Sequence, residues 1–174
     1  KGPASVLYGN STPGGLINLT SKVPEATAFQ RIEAAAGNYD SQRLDIDINR
    51  PLDDDGTWMV RLLSGAQRSD GLTSRTENER KHFSPAITFA PSADTSFTLL
   101  GSYQHDPKGG GYSGVPAFGS ALPNPFGALP RDINTGDPNY EVFDRYQRSL
   151  ATFFRHDFND ALSVRSNVRF QNTD

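Results

Sequence analysis

Cysteine is absent from the 174 residues, and methionine and tryptophan occur once each. Without cysteine the chain has no disulfide framework and no thiolate metal site. A strong excess of one charge is also lacking, since 17 basic and 20 acidic residues leave a net charge of −3. Nucleic-acid binding usually requires a basic face. We therefore expect no nucleic-acid partner.

Long apolar runs are missing as well. No stretch approaches the roughly 20 apolar residues of a membrane-spanning helix, and no signal peptide is recognisable. The sequence has no initial methionine and opens within a motif, so we expect a fragment of a longer protein. Its polar average composition argues only against membrane helices. The strands of a membrane barrel alternate lipid-facing and lumen-facing residues and are therefore only moderately apolar.

Alternation of apolar and polar residues, interrupted by turn residues, dominates the chain after residue 24. The clearest run is residues 43–49, Arg-Leu-Asp-Ile-Asp-Ile-Asn, in which every even position is apolar. These patterns predict an all-β fold. About seven strands are expected, near residues 28–37, 41–51, 57–68, 80–90, 95–106, 143–157 and 161–173.

The predicted connections differ in length at the two ends of the strands. Short turns fall at residues 53–56, 91–94 and 159–160, and longer loops run over residues 69–79 and 107–142. At the short-turn ends, four aromatic residues share the apolar parity: Trp58, Phe89, Phe97 and Phe158. Unequal loops and an aromatic band are typical of an outer-membrane barrel. A soluble β-sandwich does not require either feature.

Two short motifs precede the strands. They are residues 2–9, Gly-Pro-Ala-Ser-Val-Leu-Tyr-Gly, and residues 13–24, Pro-Gly-Gly-Leu-Ile-Asn-Leu-Thr-Ser-Lys-Val-Pro. Each motif alone is consistent with a tight turn in any all-β domain. Their order resembles the C-terminal end of the plug domain in TonB-dependent siderophore receptors. The matching residues are Gly2, Pro3, Tyr8, Gly9, Gly14, Gly15, Asn18, Ser21, Lys22 and Pro24.

The resemblance implies a partial transmembrane antiparallel β-barrel. The chain would form about seven strands of a plugged barrel of about 22 strands, preceded by the C-terminal piece of the plug. We assign residues 1–24 to the plug and residues 25–174 to the first part of the barrel. Lys1 stands where the family usually has an arginine that ties the plug to carboxylates of the barrel wall. Lysine keeps the charge but lacks the bidentate fork of arginine, and Lys1 is the expected plug–barrel contact.

The resemblance further implies a receptor in the bacterial outer membrane, surrounded by lipid. Such a receptor binds a ferric siderophore and imports it with energy from the TonB complex, which would engage a segment upstream of Lys1. No enzymatic activity and no cofactor are expected, since the siderophore carries the iron. Two alternatives stay open. One is a transporter of another cargo, such as cobalamin, a glycan or another metal chelate, and the other is a secreted β-rich adhesin or carbohydrate-binding module.

The loop over residues 107–142 is the main candidate for ligand binding, because loops of this length are usually functional or disordered. Four aromatic rings in it could enclose a bulky chelate: Tyr112, Phe118, Phe126 and Tyr140. The barrel part of the chain resembles the ferrichrome-type receptors, whose corresponding loop bears a tyrosine and a tryptophan at the ligand. Tyr112 matches the tyrosine, and Gly114 occupies the tryptophan position. The alternative is that Tyr112 only packs the loop onto itself.

Other candidate sites have weaker support. Residues 109–114 fit Gly-x-Gly-x-x-Gly, but no helix is predicted to follow, as a dinucleotide site would require. His82, His105 and His156 are predicted on separate strands, so a metal site is not expected. The carboxylates of Asp45 and Asp47 are expected to line the lumen beside Arg43. Five further charged residues share that polar parity, and none of them stands out: Arg31, Glu33, Arg61, Arg165 and Arg169.

Overall fold

A computed structural model describes residues 19–109, 114–137 and 143–174. They contain seven strands: β1 (Phe29–Gly37), β2 (Ser41–Pro51), β3 (Trp58–Asp70), β4 (Glu77–Ser92), β5 (Thr95–Lys108), β6 (Arg145–Asn159) and β7 (Leu162–Thr173). The strands form one antiparallel sheet in chain order, without a crossover. The all-β fold class and the seven strands expected from the alternation are confirmed. The described residues include no helix with the length and apolar character needed to cross a bilayer.

The two faces of the sheet differ in chemistry, because successive side chains in a strand point to opposite sides. One face, called the apolar face below, carries Ile46 and Ile48 on β2. Across the other strands it carries a row of directly paired residues: Val60, Ile87, Leu99, Thr152 and Val168. The opposite face, called the polar face, carries the carboxylates of Asp45 and Asp47.

Burial is inverted relative to a water-soluble sheet. Large side chains of the apolar face stay exposed, including Phe83 at 47% and Phe170 at 73%. The buried residues of the strands lie instead on the polar face: Asp47, Asn49, Met59, Arg61, Ala86, Thr88, Thr98, Leu100, Asp106 and Ala151. An apolar surface of this extent is not stable against water and indicates contact with a partner or a membrane.

The connections differ between the two ends of the sheet. At one end, the hairpin end, the turns cover residues 52–57, 93–94 and 160–161. At the other, the loop end, the connections cover residues 38–40, 71–76 and 109–144. The first of these is a tight turn in which Tyr39 and Asp40 both have left-handed backbone conformations, with φ of 60° and 47°. At the loop end the connection between β1 and β2 is therefore short, and the connection between β5 and β6 is long.

The hairpin of β3 and β4 is longer than the sequence predicts. A loop is expected at residues 69–79, but the ladder continues until Asp70 faces Glu77, so that only residues 71–76 form the connection. These added residues are nearly all polar and give no apolar alternation. The backbone ladder and the opposite charges of Arg68 and Glu79, which face each other, extend the hairpin instead.

An aromatic row crosses the apolar face near the hairpin end. Trp58 is paired with Phe89, Phe89 with Phe97, and Phe97 with Phe154. The rings of Trp58 and Phe89 lie 4.5 Å apart between centroids. Three of the four predicted band residues are thus direct neighbours. The fourth, Phe158, lies beyond the row.

Candidate functional site

A segment before β1 lies against the polar face. This crossing segment, residues 19–28, contacts side chains of β2 and β3. Lys22 donates from Nζ to Oδ2 of Asp47 at 3.0 Å, and the carbonyl of Val23 accepts from Nη1 of Arg61 at 2.9 Å. At the opposite edge of the sheet, Arg169 of β7 donates from Nη2 to the hydroxyl of Ser21 at 3.5 Å. The crossing segment therefore covers part of the polar face, where Asp47 and Arg61 are buried.

Arg61 is the centre of these contacts. Its Nε and Nη2 donate to Oδ1 and Oδ2 of Asp47, both at 2.9 Å. Its Nη1 donates to the Val23 carbonyl and also, at 2.7 Å, to Oε1 of Glu25. The ring of Phe29 lies 5.0 Å from the guanidinium carbon. A buried charge is tolerated only when it is paired and its hydrogen-bonding groups are satisfied. Arg61 meets both conditions through Asp47 of β2 and through the crossing segment.

Asn49 fixes the end of the crossing segment where it leads into β1. Its side chain is fully buried and donates to the carbonyls of Glu25 and Thr27, each at 2.7 Å. Its Oδ1 accepts from the backbone N–H of Glu25 at 2.9 Å. One amide thus satisfies three backbone groups of the crossing segment.

A second buried charge lies on the polar face at the loop end. Asp106 of β5 is 3% exposed. Its Oδ1 accepts from Nε of Arg80 on β4 at 2.8 Å, and its Oδ2 accepts from Nε of Arg145 on β6 at 3.1 Å. Gln104 donates to Oδ2 at 2.9 Å. This group, the Asp106 cluster, joins three strands.

The Asp106 cluster also joins the two ends of the long loop. Asp106 lies just before residues 109–144 and Arg145 lies directly after them. A second contact ties the same ends, since the His105 ring hydrogen-bonds Asp144 at 2.7 Å and stacks on Tyr146 with 4.1 Å between centroids. The long loop is thus held closed at its base by two independent contacts.

The described part of the long loop, residues 114–137, packs against the neighbouring loop at residues 71–76. The N–H of Ser74 donates to the carbonyl of Asp132 at 2.7 Å, and Arg75 donates to the carbonyl of Asn134 at 3.2 Å. Phe118 is 66% exposed and Phe126 is 96% exposed. These two rings therefore do not enclose a cavity in this arrangement.

Several predicted residues lie outside the described ranges. These are Lys1, Tyr112, Tyr140 and residues 110–113 of the glycine motif, so the proposed roles of Lys1 and Tyr112 stay predictions. Asp45 and Asp47 lie within β2 and line the polar face, as expected. Among the described residues there is no group of three or more His, Asp and Glu side chains that could hold a metal ion.

Arg61 and the Asp106 cluster were missed by the sequence reasoning. The alternation along β3 places Arg61 on the polar face together with other charged residues. It does not show which of these residues is buried. A usable signal is its position between Val60 and Leu62 in the middle of a strand, where an arginine needs a carboxylate partner. Asp106 had no such signal, because its partners Arg80 and Arg145 are remote in sequence.

Comparison with known proteins gives close relatives along nearly the whole chain. No family model matches. The chain is 37% identical over 171 residues to the ferrichrome outer membrane transporter/phage receptor of Escherichia coli K12, covering 98% of the chain. It is 35% identical over 170 residues to the ferrioxamine receptor of Yersinia enterocolitica, again covering 98% of the chain. The chain spans 23% of the length of each of these two relatives.

A solved structure shares the fold over the same extent. The ferric-catecholate import receptor Fiu of Escherichia coli K12, in its open form, matches with a TM-score of 0.76 at 25% identity. The match covers 99% of the chain and 27% of that receptor.

Proposed function

Because the chain belongs to the family of TonB-dependent outer-membrane siderophore receptors, we propose that it forms part of the wall of such a receptor. The whole protein would bind a ferric siderophore at the loop end and import it across the outer membrane. The TonB complex would supply the energy. The siderophore carries the iron, so the proposal includes no cofactor and no protein ligand to the metal.

The exposure of the apolar face and the burial of residues on the polar face are the observation that carries this proposal. Large side chains of the sheet's apolar face are exposed, whereas the buried residues of the strands lie on its polar face, part of which the crossing segment covers. A barrel wall in lipid with a polar plug inside needs both properties. A secreted adhesin or carbohydrate-binding module would bury its apolar face. The exposed apolar face therefore favours the receptor over this alternative.

The crossing segment supports the proposed division of the chain. Residues 1–24 would form the end of the plug, and residues 25–174 the first part of the barrel. In this division the Lys22–Asp47 ion pair and the hydrogen bond from Arg61 to the Val23 carbonyl join the plug to the wall. The Glu25–Arg61 ion pair lies at the first residue of the wall. Lys1 is proposed as a further plug–barrel contact.

The long loop is the proposed site of the ligand, with Tyr112 as a direct contact. Its base is fixed by Asp106 and Arg145 on one side and by His105 and Asp144 on the other. A loop with a fixed base loses less conformational entropy when it closes on a ligand. Tyrosine suits a chelate with apolar surface and exposed oxygens, because it combines a ring face with a hydroxyl donor.

Equilibrium binding to the full-length receptor in detergent tests the proposal. Ferric hydroxamate, catecholate and carboxylate siderophores are titrated into the wild type and into Tyr112→Ala. We expect tight binding of one class and at least about tenfold weaker binding by the variant, a loss of about 1.4 kcal/mol. Tyr39→Ala, which alters an exposed tyrosine in the turn between β1 and β2, serves as the matched control.

The two possible failures are distinct. Binding that is equally tight in Tyr112→Ala would keep the receptor and remove Tyr112 from the site. Absence of binding to every ferric siderophore would contradict the proposed ligand class.

A further inference from the structure

The Asp106 cluster contains two arginines and one carboxylate. Arg80 and Arg145 each direct Nε and Nη2 toward Asp106. Their side chains remain 43% and 37% exposed, while the Asp106 side chain is 4% exposed. One carboxylate cannot neutralise two guanidinium groups. The surface of the cluster therefore carries a positive charge toward the space above the polar face.

Two neighbouring carboxylates do not cancel this charge, because each is paired with a lysine: Glu77 with Lys108 and Glu79 with Lys81. A third carboxylate, Asp144, hydrogen-bonds the His105 ring. The nearest uncharged polar groups, Gln104 and Gln147, are directly paired across β5 and β6. The positive charge of the cluster is thus a local property of the polar face at the loop end.

We propose that Arg80 and Arg145 bind an anionic group of the siderophore. This inference rests on the proposed function and deepens it, because it names the ligand class: a ferric siderophore that bears a negatively charged group such as a free carboxylate. The site lies at the base of the long loop, where a ligand passing from the loop to the polar face would meet it.

The geometry suits this role in two ways. A guanidinium presents parallel N–H donors that match the two oxygens of a carboxylate. Asp106 already fixes both guanidinium groups, and the Phe143 ring lies 5.7 Å from the guanidinium carbon of Arg145. The side chains therefore need little further ordering when a ligand binds, which lowers the entropic cost of binding.

The test compares two forms of one ligand on the full-length receptor. Ferrioxamine B carries a free amine, and its N-succinyl derivative carries a carboxylate at the same position. Both ferric complexes are titrated at low and high salt into the wild type, Arg80→Gln and Arg145→Gln. Arg148→Gln is the control, because Arg148 lies on the same strand as Arg145, on the opposite face beside Tyr146.

We expect the wild type to prefer the succinyl form. Each glutamine variant should lose about tenfold in affinity for that form, the scale of a charge-assisted hydrogen bond. The amine form should change little, and the salt dependence of binding should fall. Arg148→Gln should retain the preference. Arg80→Lys and Arg145→Lys keep the charge and should retain part of it, which separates loss of the site from loss of folding.

Two results would overturn the inference while leaving the receptor intact. One is a wild type that binds ferric siderophores without preferring the carboxylate form. The other is an equal loss for both forms in the glutamine variants, which would make the cluster a clamp for the loop and nothing more. Absence of binding to hydroxamate, catecholate and carboxylate siderophores alike would instead contradict the proposed function.

Discussion

Arg61 on β3 and Asp47 on β2 form a two-pronged ion pair beneath the crossing segment, with both N–O distances at 2.9 Å. Both side chains are at least nine-tenths buried. The pair is therefore unlike the exposed ion pairs at the strand ends. Removal of either partner would leave the other charged and largely without solvent.

Arg61→Gln should weaken the attachment of the crossing segment. Among the described residues, the variant leaves Asp47 with Lys22 as its one charged partner and removes the donors to Val23 and Glu25. Breaking a buried pair in this way costs about 3–5 kcal/mol. The check is protease cleavage between residues 19 and 28 of the full-length receptor in detergent, which should become faster than in the wild type.

Arg43→Gln is the matched control for this experiment. Arg43 lies on the same face and is paired with Asp45, but its side chain is 58% exposed. An exposed pair contributes about 0–1 kcal/mol, so the cleavage rate should barely change. Equal cleavage in the two variants would show that Arg61 does not hold the segment.

Substitutions of Asn49 should show that the amide donor matters more than the volume of the side chain. Asn49→Asp keeps the shape but sets a carboxylate oxygen against the carbonyls of Glu25 and Thr27, which lie 2.7 Å from the present nitrogen. Asn49→Ala only leaves those carbonyls unsatisfied, at about 1–3 kcal/mol. Thermal unfolding at neutral pH should rank the variants wild type, Ala, Asp in falling stability. An aspartate variant as stable as wild type would contradict this ranking.

Two strand glycines should respond differently to a methyl group. A Cβ at Gly65 would lie 2.6 Å from Asp45 Oδ1 and 2.9 Å from the Leu44 carbonyl, so the neighbouring backbone must shift. A Cβ at Gly101 would meet only Pro85, at 3.5 Å or more. Gly65→Ala should cost about 1–3 kcal/mol by overpacking, and Gly101→Ala should be close to neutral. Thermal unfolding of both variants checks the difference, and equal stability would refute the close approach at Gly65.

Lipid exposure should alternate along β2. Single cysteines at Leu44, Ile46 and Ile48 in the full-length receptor should react with a membrane-buried probe, whereas cysteines at Arg43 and Asp45 should react with an aqueous one. Asp47 is unsuitable for the comparison because Lys22 and Arg61 cover it. Aqueous labelling of all five positions would contradict the barrel wall.

Most of the fold follows from the sequence because the alternation of apolar and polar residues is a local pattern. Alternation at residues 43–49 specifies both a strand and its faces, and the turn residues specify where strands end. Most of the aromatic row could be predicted because Trp58, Phe89 and Phe97 each lie at an apolar position near a short turn. Phe154 was missed because its position opposite Phe97 depends on the pairing register of two strands separated by the long loop.

The candidate site was less predictable for the same physical reason. Its contacts join groups far apart in the chain, such as Asp106 with Arg145 and Arg61 with Val23. Parity shows that these residues share a face, but not which of them meet. The burial of Arg61 depends on the path of the crossing segment, whose residues have no alternating pattern of their own.

The contacts of the crossing segment follow one another along the chain. Lys22 meets Asp47, then Val23 and Glu25 meet Arg61, and then Glu25 and Thr27 meet Asn49. Against thermal motion they act together, since the neighbouring contacts hold the segment in place when any one of them opens. A steady pull on the chain ahead of Lys22 would instead load them in succession, as in the unzipping of a hairpin. The same attachment would then be firm at rest and yet peel away under a force that is modest at every step.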